Sequence, residues 1–207
     1  MTYSNFSTAD DVRQSLGIEM RLAPRRFAAV APIPPSPWLL ETLERGRGRA
    51  NRSNTEKARS EWLITPVLTE LEDQVPSVAV FSGRPLRGGT LSGTPDYVVA
   101  ANTGGLALTR PIFAVVEAKR DDFEYGAAQC VAALVAARAY NESPAVLGGA
   151  VTNGTLWQFL DLDANEVYLD DQLYNALSTD LPLILGVLAF FCTRLPAVAI
   201  VDAQPAA

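Results

Sequence analysis

The segment 93–140 constrains the fold of this chain most strongly, because it combines two short strand-like runs with a long apolar helix. Residues 97–100 and 111–118 are rich in Val, Ile, Phe and Tyr and are bounded by Gly, Pro and Asn, which is typical of β-strands. The stretch 102–105 between them contains Asn and Gly, which tolerate the positive φ angles of a turn. We therefore predict that the two runs form an antiparallel hairpin.

Two acidic residues and a lysine lie where this hairpin begins and ends. Asp96 directly precedes the first run, whereas Glu117 and Lys119 lie at the end of the second. Because side chains alternate along a strand, Glu117 and Lys119 point to one face and Ala118 to the other. Antiparallel pairing then brings Asp96 beside Glu117. The sequence thus predicts that two carboxylates and one ammonium group meet at one end of an otherwise apolar sheet.

These residue types predict a metal site. A carboxylate removed from water without a partner is costly, and two close carboxylates repel each other. Mg²⁺ relieves both penalties, since it takes carboxylate oxygens, backbone carbonyls and water as ligands. We expect Asp96, Glu117 and the carbonyl of Ala118 to bind Mg²⁺, for which Mn²⁺ can substitute. Lys119 would then orient or deprotonate a water, or stabilise developing negative charge, as phosphodiester hydrolysis requires.

Pro95-Asp96 followed by Glu117-Ala118-Lys119 resembles the motif of the PD-(D/E)xK nuclease superfamily. The resemblance covers roughly residues 54–160. It implies a restriction-endonuclease-like α/β (α+β) fold, in which helices flank a mixed β-sheet core, and the activity of a Mg²⁺-dependent DNA endonuclease. The stretches TEKARSE…PVL and GAVTNGTLWQFL are also similar to uncharacterised bacterial, notably cyanobacterial, members. A strand-end glutamate and lysine that form only a surface ion pair are the alternative interpretation.

The resemblance also implies a helix glutamate before the hairpin. Residues 55–74 have apolar side chains at helical spacing, which predicts a helix that Pro66 should kink. Glu61 fits the spacing to the apolar stripe best, whereas Glu56 fits the longer spacing found in type I restriction subunits. We prefer Glu61 and keep Glu56 as the alternative. An exposed helix acid without a function is the third interpretation.

A further site residue lies on the helix that follows the hairpin. Residues 122–140 are apolar almost all round, and a helix of this kind is buried. Gln129 is a polar exception, and the resemblance implies that it helps to bind the substrate or a water. A glutamine that only links the helix to the sheet by a hydrogen bond is the alternative. Further strands are predicted at 78–81, 147–151, 155–160 and, as an edge strand, 167–169.

The chain is predicted to have three parts. Residues 1–53 form a Pro- and Arg-rich arm with short helices, one of them over Ala9–Leu16, and residues 45–54 form a loop. Residues 54–195 form the nuclease-like domain, and residues 196–207 form a tail. The chain has a net charge of −6, but residues 1–60 carry +4 and the remainder −10. The basic part can contact phosphate groups or can be a solvated surface.

Composition excludes several classes of enzyme and site. Without histidine, the chain cannot use a His-based triad, a His-dependent nuclease mechanism or a His-ligated zinc site. Cys130 and Cys192 lie in apolar runs, which favours buried free thiols and, with no signal-peptide pattern at the start, a cytoplasmic location. The low basic charge keeps a second hypothesis open, a non-catalytic binding or assembly module with the same fold.

Residues 181–192 are uncharged and too few to span a bilayer, so we predict no membrane association. They form either a buried helix or the contact of a possible homodimer.

Overall fold

The structure is a computed structural model that describes residues 1–195, so the predicted tail at 196–207 lies outside the described residues. Its helices are α1 (Ala9–Leu16), α2 (Pro37–Ser53), α3 (Glu56–Arg59), α4 (Thr65–Gln74), α5 (Phe123–Asn141) and α6 (Leu181–Thr193). Its strands are β1 (Glu19–Ala23), β2 (Val78–Ser82), β3 (Leu86–Gly88), β4 (Leu91–Gly93), β5 (Tyr97–Ala101), β6 (Ile112–Ala118), β7 (Leu147–Thr152), β8 (Leu156–Asp163), β9 (Glu166–Asp170) and β10 (Tyr174–Asn175). A large mixed sheet flanked by helices confirms the predicted α/β class.

The central sheet has eight strands in the order β1-β9-β8-β7-β6-β5-β2, with β10 paired to β8. Strands β5 and β6 are antiparallel neighbours, as predicted, and every residue of both is buried. Strand β7 pairs with β6 in parallel, which requires the crossover that α5 supplies. Tyr97 lies opposite Val116, so the residue before β5 faces the end of β6.

Helix α5 is buried on two sides, which explains its apolar sequence. One side packs on β6 and β7, and the other is covered by the β3–β4 hairpin. The hairpin lies so close that a Cβ on Gly88 would come within 1.9 Å of the Ala136 carbonyl oxygen. Asp122 caps the helix, because its side chain accepts a hydrogen bond from the Tyr125 amide at 2.9 Å. The prediction of a buried helix here is confirmed.

The prediction of a loop over 45–54 is wrong, because α2 continues through this segment to Ser53. Its buried positions are Leu39, Leu43, Gly46 and Ala50, which recur at helical spacing. Two of these are small residues, so the stripe does not show as a run of large apolar side chains. Glycine also has a low helix propensity, and its presence favoured the loop interpretation.

Residues 1–53, which the sequence analysis sets apart as an arm, contribute both a strand and core side chains. Strand β1 pairs in parallel with β9, so β9 is an internal strand and not the edge strand that was predicted. Phe6, Val12 and Phe27 belong to the same apolar cluster as the sheet residues. The short helix predicted over Ala9–Leu16 is present and is capped by Thr8.

A π-helical segment, Ser60–Ile64, connects α3 to α4. The Thr65 amide donates to the carbonyl of Ser60, five residues earlier. Pro66 lies in the first turn of α4, where its missing amide hydrogen costs little. The predicted irregularity is therefore present, but it takes the form of a π segment just before the proline.

Helix α6 is covered by the chain itself, since it packs on β6, β7, β10 and α4. Its apolar side chains are buried apart from a few such as Phe190, which is partly exposed. The homodimer prediction assumed that this helix lacked cover, and the structure removes that reason. Both cysteines are free and buried. Within residues 1–195, every helix is too short or too polar to cross a membrane.

We predict that two glycines of α2 respond in opposite ways to alanine. A Cβ on Gly46 would lie 2.3 Å from the carbonyl oxygen of Trp62, whereas a Cβ on Gly48 meets nothing within 4 Å. Gly48→Ala should raise the free energy of unfolding by about 0.5–1 kcal/mol through helix propensity. Gly46→Ala should lower it by about 1–3 kcal/mol through overpacking. Denaturant unfolding of both variants checks this, and equal effects would contradict this packing of α2.

Candidate active site

The site lies where β5 begins and β6 ends. Antiparallel pairing sets Tyr97 opposite Val116, which brings Asp96, the residue before β5, to the end of β6, where Glu117 and Ala118 lie. The carboxylate of Asp96 accepts a hydrogen bond from the Ala118 amide at 2.8 Å. This hydrogen bond fixes one oxygen of Asp96 against the strand that carries Glu117. The structure thus brings Asp96 and Glu117 together as predicted.

The ammonium group of Lys119 lies among the oxygen atoms of this site. Its Nζ is 3.6 Å from Oε2 of Glu117 and 3.8 Å from Oδ2 of Asp96. It also donates a hydrogen bond to the carbonyl oxygen of Ala118 at 3.0 Å. These are the residues whose oxygens the sequence analysis predicts as metal ligands. The ammonium group is therefore a monovalent cation at the position predicted for a divalent one.

Burial differs strongly among the three charged side chains. The side chain of Glu117 is only 6% exposed, against 14% for Lys119 and 36% for Asp96. Three effects together bring the pKa of Glu117 to about 8. Burial raises this pKa most, the negative charge of Asp96 raises it as well, and Lys119 lowers it. Lys119 forms a contact too long for a hydrogen bond with Glu117, so it offsets the cost of burial only in part. At neutral pH the carboxyl group of Glu117 thus retains a proton.

Helix α5 provides the side of the site opposite the strand end. Gln129 is buried on it, and its Nε2 donates to the hydroxyl of Tyr125 at 2.6 Å. The Tyr125 ring centroid lies 5.9 Å from Nζ of Lys119. A Cβ on Gly126 would come within 2.7 Å of Cγ of Lys119, so this glycine lets the helix approach the lysine stem. Gln129 lies at the site as predicted, whereas the sequence analysis missed Tyr125 and Gly126.

These side chains line a cavity of about 210 Å³. Its lining residues are Thr2, Tyr3, Ser4, Gly93, Thr94, Asp96, Glu117, Lys119 and Gln129. The segment at the start of the chain forms one wall, and it is held there by a hydrogen bond of 2.8 Å from the Tyr3 hydroxyl to the Leu86 carbonyl. Burial, with a smaller effect of the Glu117 charge, raises the pKa of Tyr3. Sequence reasoning missed this wall, because no local pattern connects residue 3 to residue 86.

A second depression, of about 290 Å³, adjoins the cavity through Thr94 and Asp96. Its further lining residues are Glu56, Lys57, Ser60, Ser82, Gly83, Pro95 and Tyr97. Glu56, the first residue of α3, is therefore beside Asp96.

Glu61, the preferred helix acid, is not among the described residues that line either space. Its side chain is 54% exposed and forms an ion pair of 3.8 Å with Lys57. The structure thus places the alternative acid, Glu56, at the depression that adjoins the cavity, whereas Glu61 lines neither space, and both residues are exposed. One helical turn separates Glu56 from Ser60, and both line the depression, whereas Glu61 is rotated about 100° from Ser60.

The donor set consists of oxygen atoms only, which suits a hard cation such as Mg²⁺ or Mn²⁺. Within residues 1–195, no group of three or more His, Cys, Asp or Glu side chains is arranged to hold a metal ion. Two carboxylates and one carbonyl are nevertheless a sufficient protein contribution, because Mg²⁺ commonly keeps several of its waters. The residues present therefore fit this class of ion.

A comparison of the chain with protein-family models gives no match. A search of the curated proteins gives no significant match either. The function is therefore inferred from the chemistry and geometry of the site.

We predict that the stability of the metal-free protein falls as pH rises from about 4.5, the ordinary pKa of glutamate, to about 8, the pKa of folded Glu117. In this window the unfolded carboxyl is ionised while the folded one keeps its proton, so unfolding releases a proton. The contribution to stability is complete below the window and lost above it. The slope should reach about 1.4 kcal/mol per pH unit at most.

Glu117→Gln should remove this slope, because the amide does not titrate. Glu61→Gln is the matched control, since it removes an exposed carboxyl of the same type. Denaturant unfolding with EDTA, repeated from pH 5 to 9, measures the difference from wild type. Equal slopes for wild type and Glu117→Gln would show that Glu117 is ionised in the folded state throughout.

Proposed function

We propose that this chain is a Mg²⁺-dependent phosphodiester hydrolase, a DNA endonuclease of the PD-(D/E)xK type. The observation that carries the proposal is the contact of the Lys119 ammonium with Asp96, Glu117 and the Ala118 carbonyl, at 3.8, 3.6 and 3.0 Å. A buried acid, a second acid and a cation converge on one small cavity. Such a cluster is costly for the fold, and strongly perturbed titratable groups in a cavity favour a catalytic role.

Asp96, Glu117 and the Ala118 carbonyl would hold the ion. When bound, Mg²⁺ would neutralise part of the phosphate charge and lower the pKa of a water molecule bound to it. Glu117 would hold the ion as a carboxylate and release its proton to solvent, because the cation would offset the cost of burying the negative charge. Asp96 keeps its orientation through the hydrogen bond with the Ala118 amide.

Lys119 acts on the water and on the charge of the transition state. Its ammonium would have to leave the oxygens of Asp96 and Glu117 for a divalent ion to be held there, and its flexible stem would let it remain in the cavity. There the ammonium would orient the attacking water and stabilise the negative charge on the phosphate. Lys119 could take the proton of that water only as a neutral amine, after its own proton had passed to solvent. Gln129, whose carboxamide lines the same cavity, binds the substrate or positions the water.

A second candidate function is a non-catalytic binding or assembly module with the same fold. The contact of Lys119 with both carboxylates favours it, because an internal ion pair neutralises part of the site without a metal. The net charge of −6 also disfavours indiscriminate binding of nucleic acid. The two functions differ in whether a divalent ion displaces the lysine.

We predict that Lys119→Met lowers the rate of DNA cleavage by about 10²–10⁴-fold, the usual effect of losing an acid–base group, and leaves Mn²⁺ binding intact. Asp96→Asn should lose both, since it removes a charged ligand but keeps an acceptor for the Ala118 amide. Arg13→Met is the matched control, because it removes an exposed positive charge on α1. Nicking of supercoiled DNA and calorimetric titration with Mn²⁺ are the measurements. Equal cleavage by wild type and Lys119→Met would contradict the mechanism.

We also predict that Glu56→Gln lowers the cleavage rate, whereas Glu61→Gln leaves it unchanged. Glu56 lines the depression that shares Asp96 with the cavity, and Glu61 lies on the surface beside Lys57. The two variants remove the same charge from the same helical region, so the comparison isolates position. The nicking assay at saturating Mn²⁺ measures both. A larger loss for Glu61→Gln would reverse the assignment of the helix acid.

A further inference from the structure

Three arginines of α2 form a continuous exposed face. Arg45, Arg49 and Arg52 are separated by four and three residues, so they project within about 60° of one another around the helix. All three are exposed. We call these three residues the arginine face. Along the axis it extends about 10 Å, at about 1.5 Å per residue.

Aromatic side chains accompany the arginine face. The guanidinium of Arg49 lies 4.6 Å from the ring centroid of Trp62, which orients it by a cation–π contact. Trp38 lies two turns before Arg45 on the same side of the helix and is 48% exposed. Within residues 1–195, the acidic side chain paired to the arginine face is Glu41, which contacts Arg45 in an exposed ion pair. Such a pair is weak and exchanges readily for another anion.

Helix α2, which carries the arginine face, ends close in sequence to the depression beside the candidate active site. Helix α2 ends at Ser53, and Asn54, which has left-handed backbone angles, turns the chain into α3. The first residue of α3 is Glu56, which borders the depression beside Asp96. Three residues therefore separate Arg52 from Glu56. The positive charge is concentrated on this approach, in a chain whose net charge is −6.

We infer that the arginine face binds the phosphate backbone of a nucleic acid strand and guides it to the cavity; this rests on the proposed function. Guanidinium groups bind phosphate oxygens through two parallel hydrogen bonds, and such contacts position a strand without reading its sequence. A length of about 10 Å matches the axial rise of about three successive nucleotides of one strand in a duplex. The exposed Trp38 adds an aromatic surface that an acidic protein partner would not require.

The contribution of the arginine face to binding is tested with a triple variant in which all three arginines are replaced, Arg45→Gln/Arg49→Gln/Arg52→Gln. The matched control is the triple glutamine variant of three exposed arginines on α1, β1 and the turn after β1, namely Arg13, Arg21 and Arg25. Each triple variant changes the net charge from −6 to −9, because three positive charges are removed from the same chain. A third variant replaces the arginine face with lysines, which keeps the charge.

Binding is measured by fluorescence anisotropy of a labelled DNA duplex in EDTA, where no cleavage occurs, as a function of salt. Each phosphate contact contributes about 0.9 to the slope of log affinity against log salt, so the glutamine variant should lose about 2.7. Between 50 and 200 mM salt, wild type should therefore lose about 40-fold more affinity than this variant. The control triple and the lysine variant should keep the wild-type slope. Thermal melting confirms that the variants are folded.

Equal slopes for the glutamine variant and the control triple would overturn the inference, as would a wild type without salt dependence. Polyglutamate that competes as well as DNA of equal charge would also overturn it, since the surface would then recognise any polyanion. If single-stranded DNA binds with a slope of log affinity against log salt of about 0.7 per contact, the inference is supported and the protein accepts a single strand. Failure of the proposed function gives a different result, in which the protein does not cleave DNA with Mn²⁺ although the salt-dependent binding persists.

Discussion

Burial of the Glu117 carboxyl at the end of β6 is the constraint on which the site depends. A carboxyl taken out of water must be neutralised by a proton, a cation or both. Here the proton is retained, because burial raises the pKa of Glu117 to about 8, and the Lys119 ammonium lies 3.6 Å away. The second acid, Asp96, is held close by a hydrogen bond from the Ala118 amide. Its negative charge therefore adds to the free-energy cost of ionising Glu117. A divalent ion would let Glu117 release this proton, because the ion would offset the charge of both carboxylates.

The surrounding fold supplies the rigidity that this cluster needs. Strands β5 and β6 are buried throughout, and α5 closes over them with Gly126 against the stem of Lys119. The first residues of the chain complete the wall, fixed by the Tyr3 hydroxyl. A cluster on such elements keeps its geometry before any substrate arrives, which is the condition for electrostatic catalysis. The approach along α2, by contrast, is exposed and basic, which suits a surface that a long substrate crosses.

Local patterns in the sequence predicted the core of the fold and most of the site. Enrichment in β-branched and aromatic residues, together with turn residues at the ends, located β5 and β6, and the antiparallel pairing then placed Asp96 beside Glu117. The largely apolar sequence of α5 predicted a buried helix, and Gln129 lies on its site-facing side. The predictions failed where the signal was non-local or was carried by small residues, as in α2. Strand β1 pairs with β9 across 147 residues, and Tyr3 reaches the site from the start of the chain. The choice between Glu56 and Glu61 depended on which face of the helix meets the depression, which spacing alone does not reveal.

The most direct test of the account is the position of a divalent ion in the folded protein. Anomalous diffraction from a crystal soaked with Mn²⁺ near pH 8 would locate it. The account predicts one peak bound by Asp96, Glu117 and the Ala118 carbonyl at about 2.0–2.3 Å, with the Lys119 ammonium moved away from these oxygens. A crystal that binds no Mn²⁺ there, with the ammonium still in contact with both carboxylates, would contradict it.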